Sequence, residues 1–168
     1  MSEHIFDGLK VIDCASFIAG PAAATVMSDF GADVIKIEPP GMGDPYRRRA
    51  VPNPEKPLNP GFFFDARNKN SLALDLRTDA GRAVLYRLVE SADVFITNYP
   101  PPARGRPGIT YDDLKHLNER LIYASFSTIA WLNRNRRLAK DFETSIESAL
   151  AWLLIASVKL LSRRLARA

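Results

Sequence analysis

Four short segments carry residue types that could hold or transform a small molecule. Gly41-Met42-Gly43-Asp44 has a glycine doublet, Arg47-Arg48-Arg49 offers three adjacent cations, Asn68-Lys69-Asn70-Ser71 joins an ammonium to two carboxamides, and Asn98 stands just before Tyr99 and three prolines. Guanidinium and ammonium groups bind phosphate and carboxylate oxygens through charge-assisted hydrogen bonds, so an anionic small molecule is the ligand class these residues favour. The glycine doublet is not a dinucleotide loop. Such a loop needs a third glycine and a place between a strand and a helix, whereas this one runs into Pro45 and reads as a turn. The arginine triplet reads equally as a phosphate grip or as a solvated basic turn. His4 and His116, the two histidines, have no triad arrangement around them and read as surface residues. No spacing suggests a metal site, and the single cysteine, Cys14, excludes an intrachain disulfide.

These segments need elements to position them. Leu9 to Ala15 reads as a strand, Pro21 suits the first turn of a helix running to Phe30, Gly31 suits the left-handed residue after it, and Asp33 to Glu38 reads as a second strand. That is a βαβ unit, which sets two parallel strands side by side. Residues 39–61 are rich in proline and read as a long irregular loop. Further strands are expected at Ser71–Leu76, Asp93–Thr97 and Leu121–Phe126. A helix over Asp79–Glu90 is expected to start at Thr78 and to bury Ala83, Leu85, Leu88 and Val89. Thr110-Tyr111-Asp112-Asp113 resembles a capping box with aspartate in place of glutamate, opening a short helix. The fold class implied is α/β, a parallel sheet flanked by helices.

With 168 residues, 46% of them hydrophobic and 25% charged, the chain has the composition of one folded domain. Its net charge of +4 is unevenly placed. Residues 1–126 carry −1, residues 127–168 carry +5, and no glycine or proline occurs after Gly108. The chain therefore divides into residues 1–126 and a basic tail, 127–168, where Ile146, Leu150, Leu154, Val158, Leu161 and Leu165 form one helical stripe. A nucleic-acid partner is not supported, because the first part is slightly acidic and its cations lack interleaved aromatics. The longest apolar stretch is about half the ~20 residues that cross a bilayer, and no signal peptide opens the chain, so a cytoplasmic protein without a membrane partner is expected.

Taken together, these segments resemble the family III CoA-transferases, the CaiB/BaiF family. The resemblance rests on Gly8-Leu9-Lys10-Val11-Ile12-Asp13, Ala19-Gly20-Pro21, Gly31 to Glu38, Gly41-Met42-Gly43-Asp44-Pro45, Asn68 to Leu76, Ala92-Asp93-Val94, Asn98-Tyr99 and Leu121 to Ser125, in the family's order. It implies a Rossmann-like large domain within an interlocked homodimer and CoA or acyl-CoA as substrate, with a small carboxylic acid as acceptor and no permanently bound cofactor. Carried over by position, Phe17, Ile18 and Ala19 match the backbone beside the thioester arm. Asn68 and Lys69 match the Asn-Lys pair, Leu74 and Arg77 flank the nucleotide, and Asn98 and Arg106 belong to the next CoA-contacting stretch. Asn70 stands where the family commonly has arginine.

The resemblance further implies an aspartate nucleophile that forms a mixed anhydride with the acyl group. The family carries it after a glycine-rich loop following the fifth strand. Here that region reads Ser127-Thr128-Ile129-Ala130-Trp131-Leu132 without glycine, and Asp141 and Glu143 are the acids near the expected offset. The catalytic residue is thus unassigned, and the catalytic part reads as incomplete. Other readings remain: a truncated or frameshifted fragment keeping a CoA-binding half-site, an acyl-CoA racemase of the same family, or a tail acting as a basic amphipathic helix on a membrane or partner.

Overall fold

The computed structural model describes residues 4–49 and 59–125. They form five strands, β1 (Lys10–Asp13), β2 (Asp33–Glu38), β3 (Asn70–Ala73), β4 (Val94–Thr97) and β5 (Ile122–Ser125), with helices α1 (Ala19–Asp29), α2 (Pro60–Ala66), α3 (Asp79–Glu90) and α4 (Tyr111–Leu114). Every strand pairing is parallel and the order is β3-β2-β1-β4-β5. The α/β expectation is met. Strand order reverses at β1, so the chain leaves β1 and β4 in opposite directions and opens a crevice at their carboxyl ends.

Alternation along the strands sends side chains into two cores. Ile12, Cys14, Ile37 and Phe95 pack with Leu85 and Val89 of α3, and with Ile109 and Leu114. Val11, Ala15, Val34, Val94 and Ile96 pack with Ala24 and Met27 of α1 on the opposite face. Apolar burial on both faces is what a parallel sheet requires, because its crossovers place helices on each side.

Local signals behave as their chemistry demands. The Thr78 side chain accepts from the Gly81 amide at the start of α3, and Thr110 with Asp113 makes both reciprocal bonds of a capping box on α4. Gly31 takes a φ of 98°, and His4 and His116 are exposed. Two expectations need correction. The stretch read as an irregular loop ends in α2, which has Pro60 in its first turn and Asn59 accepting from the Gly61 amide, a start signal masked by the surrounding prolines. On α3, Leu85 and Val89 are fully buried, but Ala83 is exposed and Gly81 is buried in its place.

Gly81 is there for space. A β-carbon at this position would lie 2.2 Å from the Asp75 carbonyl oxygen, a backbone atom that cannot swing aside. Gly81→Ala is therefore expected to destabilise the fold by about 1–3 kcal/mol. Urea unfolding should show it as a lower midpoint with an unchanged slope.

Among the described residues no helix is long and apolar enough to cross a membrane. The helical stripe expected from Glu143 onward, and the tail as a whole, lie outside the described residues.

Candidate functional site at the carboxyl end of the sheet

Asp13 and Lys36 are register partners on β1 and β2, and they share the sheet face that carries Val11 and Val34. Both are sealed from water, at 0% and 2% exposure. Lys36 Nζ donates to the Ala15 carbonyl at 2.9 Å and lies 3.7 Å from Asp13 Oδ2 and 2.9 Å from Asp44 Oδ2. The approach to Asp44 is a charge contact without hydrogen-bond alignment. Lys69 reaches the same group from the turn before β3, its Nζ donating to Asp13 Oδ2 at 2.9 Å and to the carbonyls of Pro21 and Asp65. Burial lowers the Lys69 pKa while Asp13 opposes that shift. Two carboxylates and two ammoniums thus form a buried group with no net formal charge. Balance is needed, since an unpaired buried ion costs several kcal/mol.

A second cluster adjoins the first. Glu38 accepts from Arg47 Nε and Nη2 at 2.6 and 2.7 Å, from the Ser71 hydroxyl at 2.8 Å and from the Asp44 amide at 2.8 Å. Burial pushes this carboxyl up, but the hydrogen bonds from Arg47, Asp44 and Ser71 outweigh it and hold the group at about 2. Of the arginine triplet, Arg47 is therefore structural, and it also stacks 4.0 Å over Phe62. Arg48 and Arg49 are exposed, with Arg49 lying 5.5 Å over the Phe17 ring. The glycine doublet is a turn, with positive φ at Gly41 and Gly43.

What the two clusters support is the loop between β1 and α1. The Ala15 amide donates to Asp13 Oδ1, and the Ala15 carbonyl accepts from Lys36. The Ser16 amide donates to Asn98 Oδ1 at 2.9 Å, while Asn98 Nδ2 donates back to the Ser16 carbonyl at 2.6 Å. The Phe17 amide donates to Asp44 Oδ1 at 3.2 Å. Phe17 itself has φ of 65°, a region that costs a residue with a side chain about 1–2 kcal/mol. Phe17 and Ile18 nevertheless project outward, 37% and 47% exposed, beside the crevice. Helix α1 starts here with no side-chain cap and no acid in its first turn, so its positive end faces the same place. Gly20 lets the helix come close: a β-carbon there would lie 2.5 Å from Ala15 Cβ.

The remaining candidates divide into two groups. Past the carboxyl end of β3, the Leu74 amide donates to the Glu38 carbonyl and Arg77 grips Asp75 with two bonds of 2.8 Å. The Arg77 hydrogen bonds hold the Asp75 carboxyl at about 2, and Arg106 acts on the same carboxylate through its charge. Leu74, Arg77 and Arg106 thus share the carboxyl edge of the sheet with Phe17, Ile18, Ala19 and Asn98. Asn68 does not. It has φ of 60° and donates to Asp29, the last residue of α1, which lies at the end of the helix away from the crevice. Lys69, its neighbour, spans the distance with its long stem and ends in the buried group.

Asp13, Lys36, Glu38 and Asp44 were not singled out in the sequence as site-forming residues. The available signal was a lysine among the apolar residues Val34 to Ile37 and a glutamate just after them, in a strand of a parallel sheet whose two faces are covered. Arg104 is another such residue, with Nε donating to the Tyr99 carbonyl and Nη2 to the Ser125 hydroxyl, so it ties the ends of β4 and β5 together. Cys14 carries no reactive thiolate: burial, reinforced by Asp13, pushes its thiol up to about 12. Among the described residues no group of histidine, cysteine and carboxylate side chains could hold a metal ion.

Known proteins are similar to this chain in sequence and fold. The acetyl-CoA:oxalate CoA-transferase of Acetobacter aceti is 42% identical over 122 residues, 73% of this chain and 31% of its own length. The cinnamoyl-CoA:phenyllactate CoA-transferase of Clostridium sporogenes is 37% identical over 130 residues, 75% of this chain and 31% of that one. A CaiB/BaiF family protein from Brucella suis superposes with a TM-score of 0.66 at 38% identity, covering 74% of this chain and 33% of its own. The chain thus spans about a third of the length of the curated relatives it matches. CoA-transferase family III matches residues 6–154, which runs past the division drawn after residue 126. A β1–α1 loop braced at the switch point, five parallel strands in this order and a match over most of the sequence lead to one assignment: the chain belongs to CoA-transferase family III.

Proposed function

We propose that the carboxyl edge of the sheet binds the CoA portion of an acyl-CoA. In this reading Phe17, Ile18 and Ala19 flank the thioester arm, while Leu74, Arg77 and Arg106 receive the nucleotide end. Asn98 and Lys69 contribute by holding the β1–α1 loop, and Asn68 by shaping the turn before β3. The observation that carries the proposal is the β1–α1 loop, pinned at Ala15, Ser16 and Phe17 while the Phe17 and Ile18 side chains stay open to the crevice. A phosphate group suits this edge, since the start of α1, with no acid in its first turn, and two arginines lie along it.

The reaction proposed is transfer of CoA from an acyl-CoA to a carboxylic acid. An aspartate carboxylate attacks the thioester carbonyl, the carbon–sulfur bond breaks, and a mixed anhydride forms as CoA leaves as thiolate. The thiolate then attacks the aspartyl carbonyl and expels the donor acid as carboxylate. The acceptor carboxylate attacks this aspartyl thioester, forming a second mixed anhydride and freeing the thiolate, which attacks the acceptor carbonyl to give the new thioester and restore the aspartate. The nucleophile is none of the site residues described above. Relatives such as those of Acetobacter and Clostridium carry transferase names, which favours transfer over racemisation. The family resemblance adds a homodimer to the proposal.

Calorimetric titration of the full chain with CoA should give saturable heat; folded protein that gives none overturns the reading. Arg77→Ala and Arg106→Ala should each weaken CoA binding about tenfold, the scale of one charge-assisted hydrogen bond. Both side chains are exposed, so unfolding free energy should stay within about 0.5 kcal/mol of the parent. Unchanged affinity in both variants would move the nucleotide away from this edge.

A further inference from the structure

We propose that Asp44, paired with Lys36, is a positioning residue: its carboxylate holds Phe17 in the left-handed conformation that presents Phe17, Ile18 and Ala19 to the ligand. A bulky residue at φ of 65° persists only where its surroundings over-determine it. Asp44 supplies that constraint. It is 1% exposed, follows Gly43 in a tight turn, and has its own amide fixed on Glu38 at 2.8 Å. Its Oδ1 receives both the Phe17 and the Tyr46 amides, and its Oδ2 faces Lys36.

The same ammonium holds the Ala15 carbonyl, and Asn98 holds both backbone groups of Ser16. Three consecutive residues are thus gripped by side chains from β2, from the turn after it and from the end of β4. Stability alone does not call for an ion pair here, because well-packed apolar residues of similar volume commonly serve a core as well. A fixed geometry does call for it. The inference rests on the CoA reading for what the loop meets, and stands without it for what holds the loop.

The test uses the full chain with the charge-balanced pair Lys36→Met and Asp44→Leu, which leaves Asp13 and Lys69 matched, alone and combined with Phe17→Gly. Amide exchange at position 17 is followed by NMR, and CoA affinity by calorimetry. The pair should speed exchange at position 17 and weaken CoA about tenfold (about 1.4 kcal/mol). Glycine takes positive φ without steric cost, so with Phe17→Gly present the pair should weaken CoA less than about threefold. An equal loss in both backgrounds, or unchanged exchange at position 17, overturns the proposal and leaves Asp44 a purely structural residue. Should the parent bind no CoA, the CoA reading fails and the exchange measurement decides the positioning role by itself. Should the pair fail to fold, Asp44→Asn carries the same measurements: faster exchange at position 17 supports the proposal, and parental exchange overturns it.

Discussion

Asp13→Asn should destabilise the fold by about 3–5 kcal/mol, the scale of breaking a buried ion pair from one side. Asp13 is wholly buried, and its Oδ2 receives Lys69 Nζ at 2.9 Å with Lys36 Nζ 3.7 Å away. The amide keeps the shape and removes the charge, so Lys36 would be left with Asp44 and Lys69 would lose its one direct carboxylate partner, keeping only the charge of Asp65 nearby. Urea unfolding measures the effect. Adding Lys69→Met restores the balance while keeping the volume of the stem, and the double variant should recover more than half of the loss. A single substitution costing less than about 1 kcal/mol would show that the ammoniums find other compensation. The coupling matters for the site as well, because Lys36 and Asp13 also hold the two backbone groups of Ala15.

Stability should also fall in acid through Glu38. Its carboxyl lies at about 2 in the folded chain against an ordinary 4.5, so folding favours the ionised form. A depressed folded-state pKa contributes stability that is complete above pH 4.5 and is lost as pH falls toward 2. The contribution is roughly 3 kcal/mol at neutral pH, because each tenfold difference in proton affinity between folded and unfolded chain is worth about 1.4 kcal/mol. Melting temperature followed from pH 6 to pH 2 should drop through this window. Glu38→Gln should start lower and show a flatter profile. Asp75 titrates in the same range, but its pairing with Arg77 is exposed and screened, so it adds little. A profile in Glu38→Gln parallel to that of the parent would assign the acid sensitivity to another group.

Much of the architecture was legible in the residue order. Asp33 to Glu38 was bounded correctly because apolar β-branched residues run between a glycine-led turn and a proline pair. Thr78 and the Thr110–Asp113 box announced their helices because a side-chain oxygen satisfies amides only a few residues away. Helix α2 is not legible in the sequence, since its start, Asn59-Pro60, lies among prolines that equally signal a loop. Ala83 and Gly81 were exchanged in the expected core because periodicity marks a face, whereas close approach to the Asp75 carbonyl is a matter of tertiary distance.

For the site, the residues carried over by position fall along one edge apart from Asn68, which pairs with Asp29 at the far end of α1, and Lys69, whose ammonium is buried on Asp13. What they do there could not be read from their types. Asn98 also has a role that its type does not announce, accepting from and donating to the backbone of Ser16. The arginine triplet reads equally as a phosphate grip or a solvated basic turn, and Arg47 is neither, since Glu38 holds it with two bonds.

By itself, then, the order of amino acids determined the parallel α/β frame and the family, since period, caps and turns act over a few residues. The tertiary structure decided which polar groups face the crevice and which are consumed beneath it. Asp13, Lys36, Asp44 and Lys69 come from four separate segments and meet only when β1, β2 and α1 close upon them. A charge in low dielectric must find a partner wherever the fold brings one, and no local pattern encodes a partner 56 residues away.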